Sequence, residues 1–233
     1  MTPLRPALVL TLVVVLSGAG EVSAGPPPPP APATITPGTA VLQADRSTTV
    51  TVRIDDRRTV KGISATERIG DGIARDQTPT RIDEDSWSAD LVFDRHDPTG
   101  PYDVYVDYYD ESRGYWVDGR TTGAFLVKRD TTLAFDAAPE DVPRGGVMTL
   151  SGVLRCLVAS SRGSDYVGLG SKTLTVQFAP SGGSFSDRTT VTTDDDGKFR
   201  KQVHSHGAGT WRVVYAGTGR YDASSRRDAI HVS

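Results

Sequence analysis

The chain has 233 residues, of which 37% are hydrophobic and 24% are charged, and its formal net charge is −3. This composition is too apolar for a disordered chain, and the length suits one large domain or two small ones. The acidic balance argues against a general attraction to nucleic acid or to anionic membranes.

The N-terminal residues predict an export signal. Arg5 precedes the apolar run Ala7–Leu16, and Val22-Ser23-Ala24 fits the small-x-small pattern of signal-peptidase cleavage. The run is shorter than the roughly 20 residues that a bilayer span needs. We therefore expect residues 1–24 to be a signal peptide and the mature protein to be secreted, without stable membrane insertion after cleavage. An uncleaved anchor is the alternative.

A proline-rich stretch, Gly25–Pro32, follows the predicted cleavage site. Successive prolines fix φ and remove backbone donors, so the stretch is expected to be a polyproline II segment. We interpret residues 25–32 as a stiff, solvated spacer, with a docking ligand as the alternative.

From Ala33 onward, hydrophobic and polar residues alternate with the period of two that is typical of β-strands. Two polar stretches, Gly70–Thr80 and Ser160–Ser171, predict loops, and no window has a helical period. The predicted strands are Ser47–Ile54, Val60–Glu67, Ser86–Phe93, Tyr102–Tyr109, Ala124–Val127, Thr131–Phe135, Met148–Leu154, Leu174–Phe178, Thr189–Thr193, Phe199–Val203, Thr210–Tyr215 and Ala229–Val232.

The two halves of the chain repeat one plan. Three aromatic or apolar positions recur at similar offsets, pairing Trp87 with Phe199, Tyr102 with Trp211, and Phe125 with Ile230. Units of about 100 residues with about seven short strands have the size of an immunoglobulin-like sandwich. The predicted fold is all-β, with two tandem immunoglobulin-like β-sandwiches at residues 33–128 and 129–233. We expect the fragment 131–233 to fold alone, and the two units to be only modestly mobile relative to each other.

The second half also carries a family signature. Gly209–Gly217, followed by Tyr221 and Ser224-Ser225, resembles bacterial Ig-like domain repeats of the secreted actinobacterial type, and Thr193–Phe199 resembles the turn that precedes this signature. The likeness covers Thr131–Ser233 well and Ala33–Lys128 loosely. The resemblance implies secreted spacers, adhesins or accessory domains rather than an enzyme.

An aromatic and acidic cluster in the first unit is the candidate ligand-binding surface. Strand alternation places Tyr105 and Tyr109 on the outer face, and Tyr115 and Trp116 are expected in the following loop. Exposed aromatic side chains beside carboxylates suit the binding of sugars or peptides. The alternatives are that Trp116 only covers an edge of the sandwich, or that two of the carboxylates form a glycosidase pair.

The candidate metal ligands and the single cysteine predict no site. Asp194-Asp195-Asp196-Gly197 resembles the start of a calcium loop but fits a hairpin turn better, because the closing Glu is absent and Lys198 follows. His204 and His206 would share a strand face and could chelate a metal, but they abut a strand end. Cys156 has apolar neighbours that predict a partly buried thiol. We expect no cofactor and no bound metal.

The function predicted from the sequence is that of an exported, non-enzymatic structural or interaction protein at the cell exterior, with a protein or glycan partner. The alternative is a carbohydrate- or ligand-binding protein that uses Tyr105, Tyr109, Tyr115 and Trp116.

Overall fold

The computed structural model describes residues 25–69, 74–159, 165–205 and 207–232, so the predicted signal peptide lies outside the described residues. The alternating sequence forms strands throughout this part of the chain. These strands are β1 Ala33–Thr36, β2 Thr39–Leu42, β3 Thr48–Ile54, β4 Val60–Glu67, β5 Ala74–Gln77, β6 Thr80–Asp83, β7 Ser86–Phe93, β8 Gly100–Asp110, β9 Tyr115–Arg129, β10 Thr131–Ala138, β11 Asp141–Val142, β12 Val147–Leu157, β13 Tyr166–Gly168, β14 Thr173–Pro180, β15 Ser186–Thr192, β16 Lys198–His204, β17 Gly209–Tyr215 and β18 Ser224–Val232.

The first unit, built from β1 to β9, consists of two sheets. One has the strand order β1-β3-β7-β6 and the other the order β2-β9-β8-β4-β5. Neighbouring strands are antiparallel except β2, which pairs in parallel with β9. This arrangement is that of an immunoglobulin-like sandwich.

The core of the first unit lies between its two sheets. Each strand buries alternate residues, such as Val50, Val52 and Ile54 of β3, because successive side chains point to opposite faces. Phe93 of β7 contacts Tyr102 of β8 edge-to-face across the sandwich, with 5.4 Å between ring centroids. Such a pair contributes about 0.5–1.5 kcal/mol beyond its buried area.

The second unit, built from β10 to β18, repeats this arrangement. Strand β12 pairs with β10 on one side and with β13 and β16 on the other, and the second sheet has the order β11-β18-β17-β14-β15. Its core holds Met148, Leu150 and Leu154 of β12 against Trp211 of β17. Trp211 also contacts Phe178 at 4.9 Å between centroids. The all-β fold with two tandem sandwiches is confirmed.

The strand register also tests the repeat predicted from the sequence. Tyr102 and Trp211 are the third residues of the equivalent strands β8 and β17. Gly209 pairs with Ile230, whereas its counterpart Gly100 pairs with Val127. The prediction that Phe125 corresponds to Ile230 is therefore wrong by two residues along the strand.

Two predicted loops contain short strands. Strand β5 lies within Gly70–Thr80, and β13 lies within Ser160–Ser171. The residues of β5 are exposed or half-buried, so backbone pairing to β4 forms this strand without any apolar alternation. The parts of both loops at residues 70–73 and 160–164 lie outside the described residues.

The junction between the units is short and well contacted. Asp130 alone separates β9 from β10. Leu157 of the second unit is fully buried in the core of the first, and Tyr166 packs against the same core. The hydroxyl of Tyr166 donates to Asp130 Oδ2 at 2.6 Å, and Arg95 of the first unit pairs with Asp165 of the second. That residues 33–128 and 129–233 are two independently folding domains stays a prediction.

Candidate functional site

The hairpin of β8 and β9 carries the candidate surface, and its turn is fixed by hydrogen bonds. Asp110 Oδ1 accepts hydrogen bonds from the backbone N–H and the hydroxyl of Ser112, at 3.1 and 2.6 Å. Arg113 Nη1 donates to Asp110 Oδ2 at 2.9 Å. The hydrogen bond from the Ser112 hydroxyl, with help from Arg113, lowers the pKa of Asp110. Gly114 completes the turn with a φ of 70°, a conformation that glycine adopts without strain.

The outer face of this hairpin presents an aromatic pair. Tyr109 and Trp116 are register partners on β8 and β9, and their rings meet edge-to-face with 5.3 Å between centroids. The Lys61 ammonium lies 5.6 Å from the centroid of a Trp116 ring. Trp116 keeps 42% of its surface exposed. The pair is therefore rigidly placed by backbone pairing and open to a ligand.

The other two predicted residues lie apart from this pair. Tyr105 lies on the outer face of the same strand four residues before Tyr109, about 13 Å away along β8, and Asp107 lies between them. Tyr115 is 47% exposed and precedes Trp116 in β9, so the two side chains point to opposite faces of the strand. The expectation that Tyr115 and Trp116 lie in a loop is wrong, because both pair with residues at the end of β8.

The carboxylates of this face have partners within the fold. Arg68 Nε donates to Asp103 Oδ2 at 2.9 Å, and this hydrogen bond lowers the pKa of Asp103. The backbone N–H of Gly119 donates to Asp107 Oδ1 at 2.7 Å. A glycosidase acid needs a raised pKa, so the environment of Asp103 does not suit that role.

The opposite side of the same hairpin holds a contact that the sequence analysis missed. Residues 25–31, expected to be a solvated spacer, lie against the end of the first unit. Arg58 from the β3–β4 loop donates to the carbonyls of Pro28 and Pro29, at 3.2 and 3.0 Å. Arg113 from the β8–β9 turn donates to the carbonyls of Gly25 and Pro26, and the buried Tyr108 donates its hydroxyl to the carbonyl of Pro28.

Arg58 is held in place from two sides. Its Nε donates to Asp56 Oδ1 at 2.8 Å, and its guanidinium carbon lies 4.0 Å from the centroid of the Tyr108 ring. Burial by itself would raise the pKa of Asp56, but hydrogen bonds from Arg58 and from the Ala31 N–H hold that pKa below its ordinary value. The pair Arg57-Arg58 was visible in the sequence, yet only the fold brings Arg58 to the proline stretch.

The acidic turn of the second unit uses its first carboxylate internally. Asp194 Oδ1 accepts hydrogen bonds from the backbone N–H groups of Asp196 and Lys198, at 3.0 and 2.8 Å. Gly197 has a φ of 76°, as the turn interpretation requires. The turn does not close a hairpin, however, because β15 pairs with β14 and β16 pairs with β12 in the other sheet.

The remaining candidates for metal binding or reactivity are His204, His206 and the single cysteine. His204 Nδ1 lies 3.2 Å from the carbonyl oxygen of Gly145, while His206 is outside the described residues. Within the described ranges, no three His, Cys, Asp or Glu residues are grouped as metal ligands. Cys156 is buried more fully than predicted, and this burial raises the pKa of its thiol. No helix among residues 25–69, 74–159, 165–205 and 207–232 is long and apolar enough to cross a membrane.

Comparison with known proteins gives only distant likenesses. No protein-family model matches the sequence, and no curated protein matches it. The solved structures that resemble this chain include a tetra-tandem repeat from the extending region of a large adhesion protein, with 15% identity and a TM-score of 0.30 over 82% of this chain and 48% of that one. They also include the Yersinia pseudotuberculosis adhesin InvE, with 16% identity and a TM-score of 0.28 over 85% of this chain and 58% of that one. Bovine butyrophilin has 13% identity and a TM-score of 0.38 over 87% of this chain and 96% of that one. The chain spans less than two thirds of the adhesion proteins, and likenesses at these TM-scores carry no argument about function.

Proposed function

We propose that this chain is an exported, non-enzymatic Ig-like protein of the cell exterior, related to secreted actinobacterial-type modules, that binds a partner through the outer face of its β8–β9 hairpin. The observation that carries the proposal is the outward-facing pair of the half-buried Tyr109 and the exposed Trp116. Aromatic residues anchor many protein interfaces because they bury a large area with few rotatable bonds. The turn bonded to Asp110 and the β8–β9 pairing support the proposal, since they fix the pair before a partner arrives.

The partner in the first form of the proposal is a protein of the cell exterior. The ring contact gives the face an apolar centre, and the nearby Lys61 ammonium can pair with a carboxylate of a partner protein. We propose that Tyr105, which lies on the same face about 13 Å away along β8, contributes at its margin, and that Tyr115, on the opposite face of β9, contributes from the end of the hairpin.

A glycan partner is the second candidate. An indole that is exposed over 42% of its surface can stack on the apolar face of a sugar ring, while neighbouring hydroxyl and ammonium groups bind the sugar hydroxyls. In this form of the proposal Trp116 is the stacking platform, and Tyr109 and Lys61 supply the polar contacts.

Binding of the labelled protein to isolated cell envelopes tests the proposal. We expect Trp116→Ala to weaken binding at least tenfold, as for an interface anchor worth about 1.4 kcal/mol or more. Ile82→Ala is the matched control, because Ile82 is 53% exposed in β6 of the other sheet. Equal binding by wild type and Trp116→Ala would overturn the proposal.

Pretreatment of the envelopes separates the two candidates. Loss of binding after protease digestion indicates a protein partner, and loss after periodate oxidation indicates a glycan. Export is tested in parallel, because the protein recovered outside the cytoplasm is expected to begin at Gly25.

A further inference from the structure

The contacts to the N-terminal proline stretch repeat every three residues. Within residues 25–30, the carbonyls that accept side-chain hydrogen bonds are those of Gly25 and Pro28, and of Pro26 and Pro29. Pro27 and Pro30, which are also three residues apart, are half-buried. The four residues whose carbonyls accept these hydrogen bonds are exposed. A polyproline II helix has three residues per turn, so each of these pairs lies on one side of the helix. The first unit therefore contacts this stretch with the three-residue repeat that is expected of a polyproline II segment.

The donors match what a proline run can offer. A run of prolines has carbonyl acceptors but no backbone N–H, so its partner must supply donors only. The guanidinium of Arg58 reaches two successive carbonyls, those of Pro28 and Pro29, and Arg113 reaches those of Gly25 and Pro26. Arginine has five N–H donors in a planar fork and no acceptor, which suits this task.

The donor groups are oriented by the fold itself. Asp56 and the Tyr108 ring hold Arg58, and Asp110 holds Arg113 at 2.9 Å. Tyr108 is fully buried, and the acceptor of its hydroxyl is the carbonyl of Pro28. If the proline stretch left, this hydroxyl would lose that acceptor. The fold thus supplies its own contacts to both guanidinium groups, beside those that the proline stretch makes.

The far end of the site is also defined. The N–H of Ala31 donates to Asp56 Oδ2 at 3.3 Å, and the hydroxyl of Thr122 donates to the carbonyl of Ala31. Ala31 is the residue of the stretch with a free backbone N–H after five prolines, and an acceptor meets it there. Side-chain donors therefore meet the carbonyls of this segment, and a carboxylate meets the backbone N–H at its end.

From this geometry we infer that Arg58, Tyr108 and Arg113 form a binding site for proline-rich peptides in the polyproline II conformation. The chain's own residues 25–31 occupy the site in the isolated protein. A proline-rich segment of the same backbone chemistry competes for it. The site is on the opposite side of the hairpin from Tyr109 and Trp116, and it does not depend on the function proposed for that pair.

The test uses the full chain with Pro27→Gly, Pro28→Gly and Pro29→Gly combined, which keeps the length of the segment but removes its fixed conformation. The probe is a fluorescent synthetic peptide with the sequence of residues 25–32. We expect the triple-glycine chain to bind it at least tenfold more tightly than wild type, because the wild-type segment occupies the site at a high effective concentration. The same peptide with glycine at its three central prolines should not bind.

Three further variants are made in the triple-glycine chain. Arg58→Ala should weaken peptide binding at least tenfold, and Tyr108→Phe, which keeps the buried ring, should weaken it several-fold. Arg57→Ala is the matched control and should leave binding unchanged, because Arg57 is directed to Asp85 at 2.7 Å. Trp116→Ala should also leave it unchanged.

Three results would overturn the inference. They are the absence of peptide binding by the triple-glycine chain, equal effects of Arg57→Ala and Arg58→Ala, and a wild-type dimer that dissociates in the triple-glycine chain. The last result would mean that the segment comes from a second copy of the protein.

Discussion

The two sandwiches use the same end to hold the chain segment that precedes them, but they hold it differently. In the first unit, side chains of Arg58, Tyr108 and Arg113 bind residues 25–31. In the second unit, the backbone N–H of Arg129 donates to the carbonyl of Arg220, and the backbone N–H of Asp222 donates to the carbonyl of Arg129, both at 2.9 Å. The N–H of Leu157 also donates to the carbonyl of Asp130 at 2.9 Å.

The difference follows from proline chemistry. Arg129 has both a backbone donor and an acceptor, so it can join a ladder and forms a parallel bridge with Tyr221. Prolines have no N–H and cannot join such a ladder, so donor side chains must hold them. Side-chain contacts can exchange one proline-rich segment for another, whereas the contacts at Arg129 belong to a continuous backbone. The same sandwich end therefore gives a joint in one unit and an exchangeable site in the other.

The largest expected effect comes from removing the side chain that crosses the joint. Leu157 belongs to the second unit by sequence but is buried in the core of the first. Leu157→Ala should lower the free energy of unfolding by about 2–5 kcal/mol, as for a buried leucine that leaves a cavity. The measurement is urea denaturation, combined with hydrogen exchange in β3 and in β12.

Leu150→Ala is the matched control for this prediction, because Leu150 is equally buried but lies in the second core. Leu157→Ala should increase exchange in β3, and Leu150→Ala should increase it mainly in β12. If Leu157→Ala leaves β3 protected, the joint does not stabilise the first unit.

A second prediction compares tyrosines of the two regions at alkaline pH. Burial raises the pKa of Tyr102 in the first core to about 12, and burial, followed by the hydrogen bond to Asp130, raises the pKa of Tyr166 at the joint. A pKa raised above the unfolded value of about 10 gives stability that is complete below pH 10. This stability is lost as the pH rises through the folded pKa, by up to about 1.4 kcal/mol per pH unit for each tyrosine.

Denaturation between about pH 9 and about pH 12 measures this loss. Tyr102→Phe and Tyr166→Phe should each make the decline in stability less steep, because each removes one ionisable group. A variant with the same pH slope as wild type would show that its tyrosine does not titrate differently on unfolding.

The smallest expected effect concerns the acidic turns before β7 and β16. In the first unit, Asp83 Oδ1 accepts a hydrogen bond from the backbone N–H of Asp85 at 2.9 Å. In the second unit, Asp194 Oδ1 accepts hydrogen bonds from the backbone N–H groups of Asp196 and Lys198. Asp194→Ala should cost about 1 kcal/mol, since it removes hydrogen bonds to two backbone donors. Asp195→Ala should change stability by no more than about 0.5 kcal/mol, because its exposed side chain is not the acceptor in this turn.

Thermal unfolding of both variants tests this prediction. Millimolar calcium should leave the midpoint of the wild type unchanged. An increase with calcium that Asp194→Ala abolishes would instead show that the turn binds the ion.

The sequence predicted the longer strands that bury one face, but it missed the short β2, which buries Ala40 and Leu42, and the exposed β5 and β6. Val60–Glu67 and Ser86–Phe93 match β4 and β7, because alternation records which side of a strand lies in a core. Strands β5 and β6 are exposed along most of their length, so only backbone pairing defines them. No periodic pattern in side chains can report such pairing.

The sequence predicted which residues of the candidate site face outward, but it did not predict which of them contact each other. The outward placement of Tyr105 and Tyr109 followed from alternation, whereas the contact between Tyr109 and Trp116 depends on the register of the β8–β9 hairpin. The proline site depends on contacts between residues that lie even further apart in the sequence. It brings Arg58 and Arg113 from two separate loops onto a segment near the N-terminus, and the sequence does not encode that proximity in any local pattern.

The single residue between β9 and β10 also determines how the chain would carry tension. One residue spans at most about 3.6 Å, so the joint at Asp130 has no slack to extend. A pull along the chain would pass directly from the pairing of β9 with β8 to the pairing of β10 with β12, while Leu157 and Tyr166 resist bending at the same place. Residues 25–31 would respond differently, because their side-chain contacts can release one after another before either sandwich is loaded.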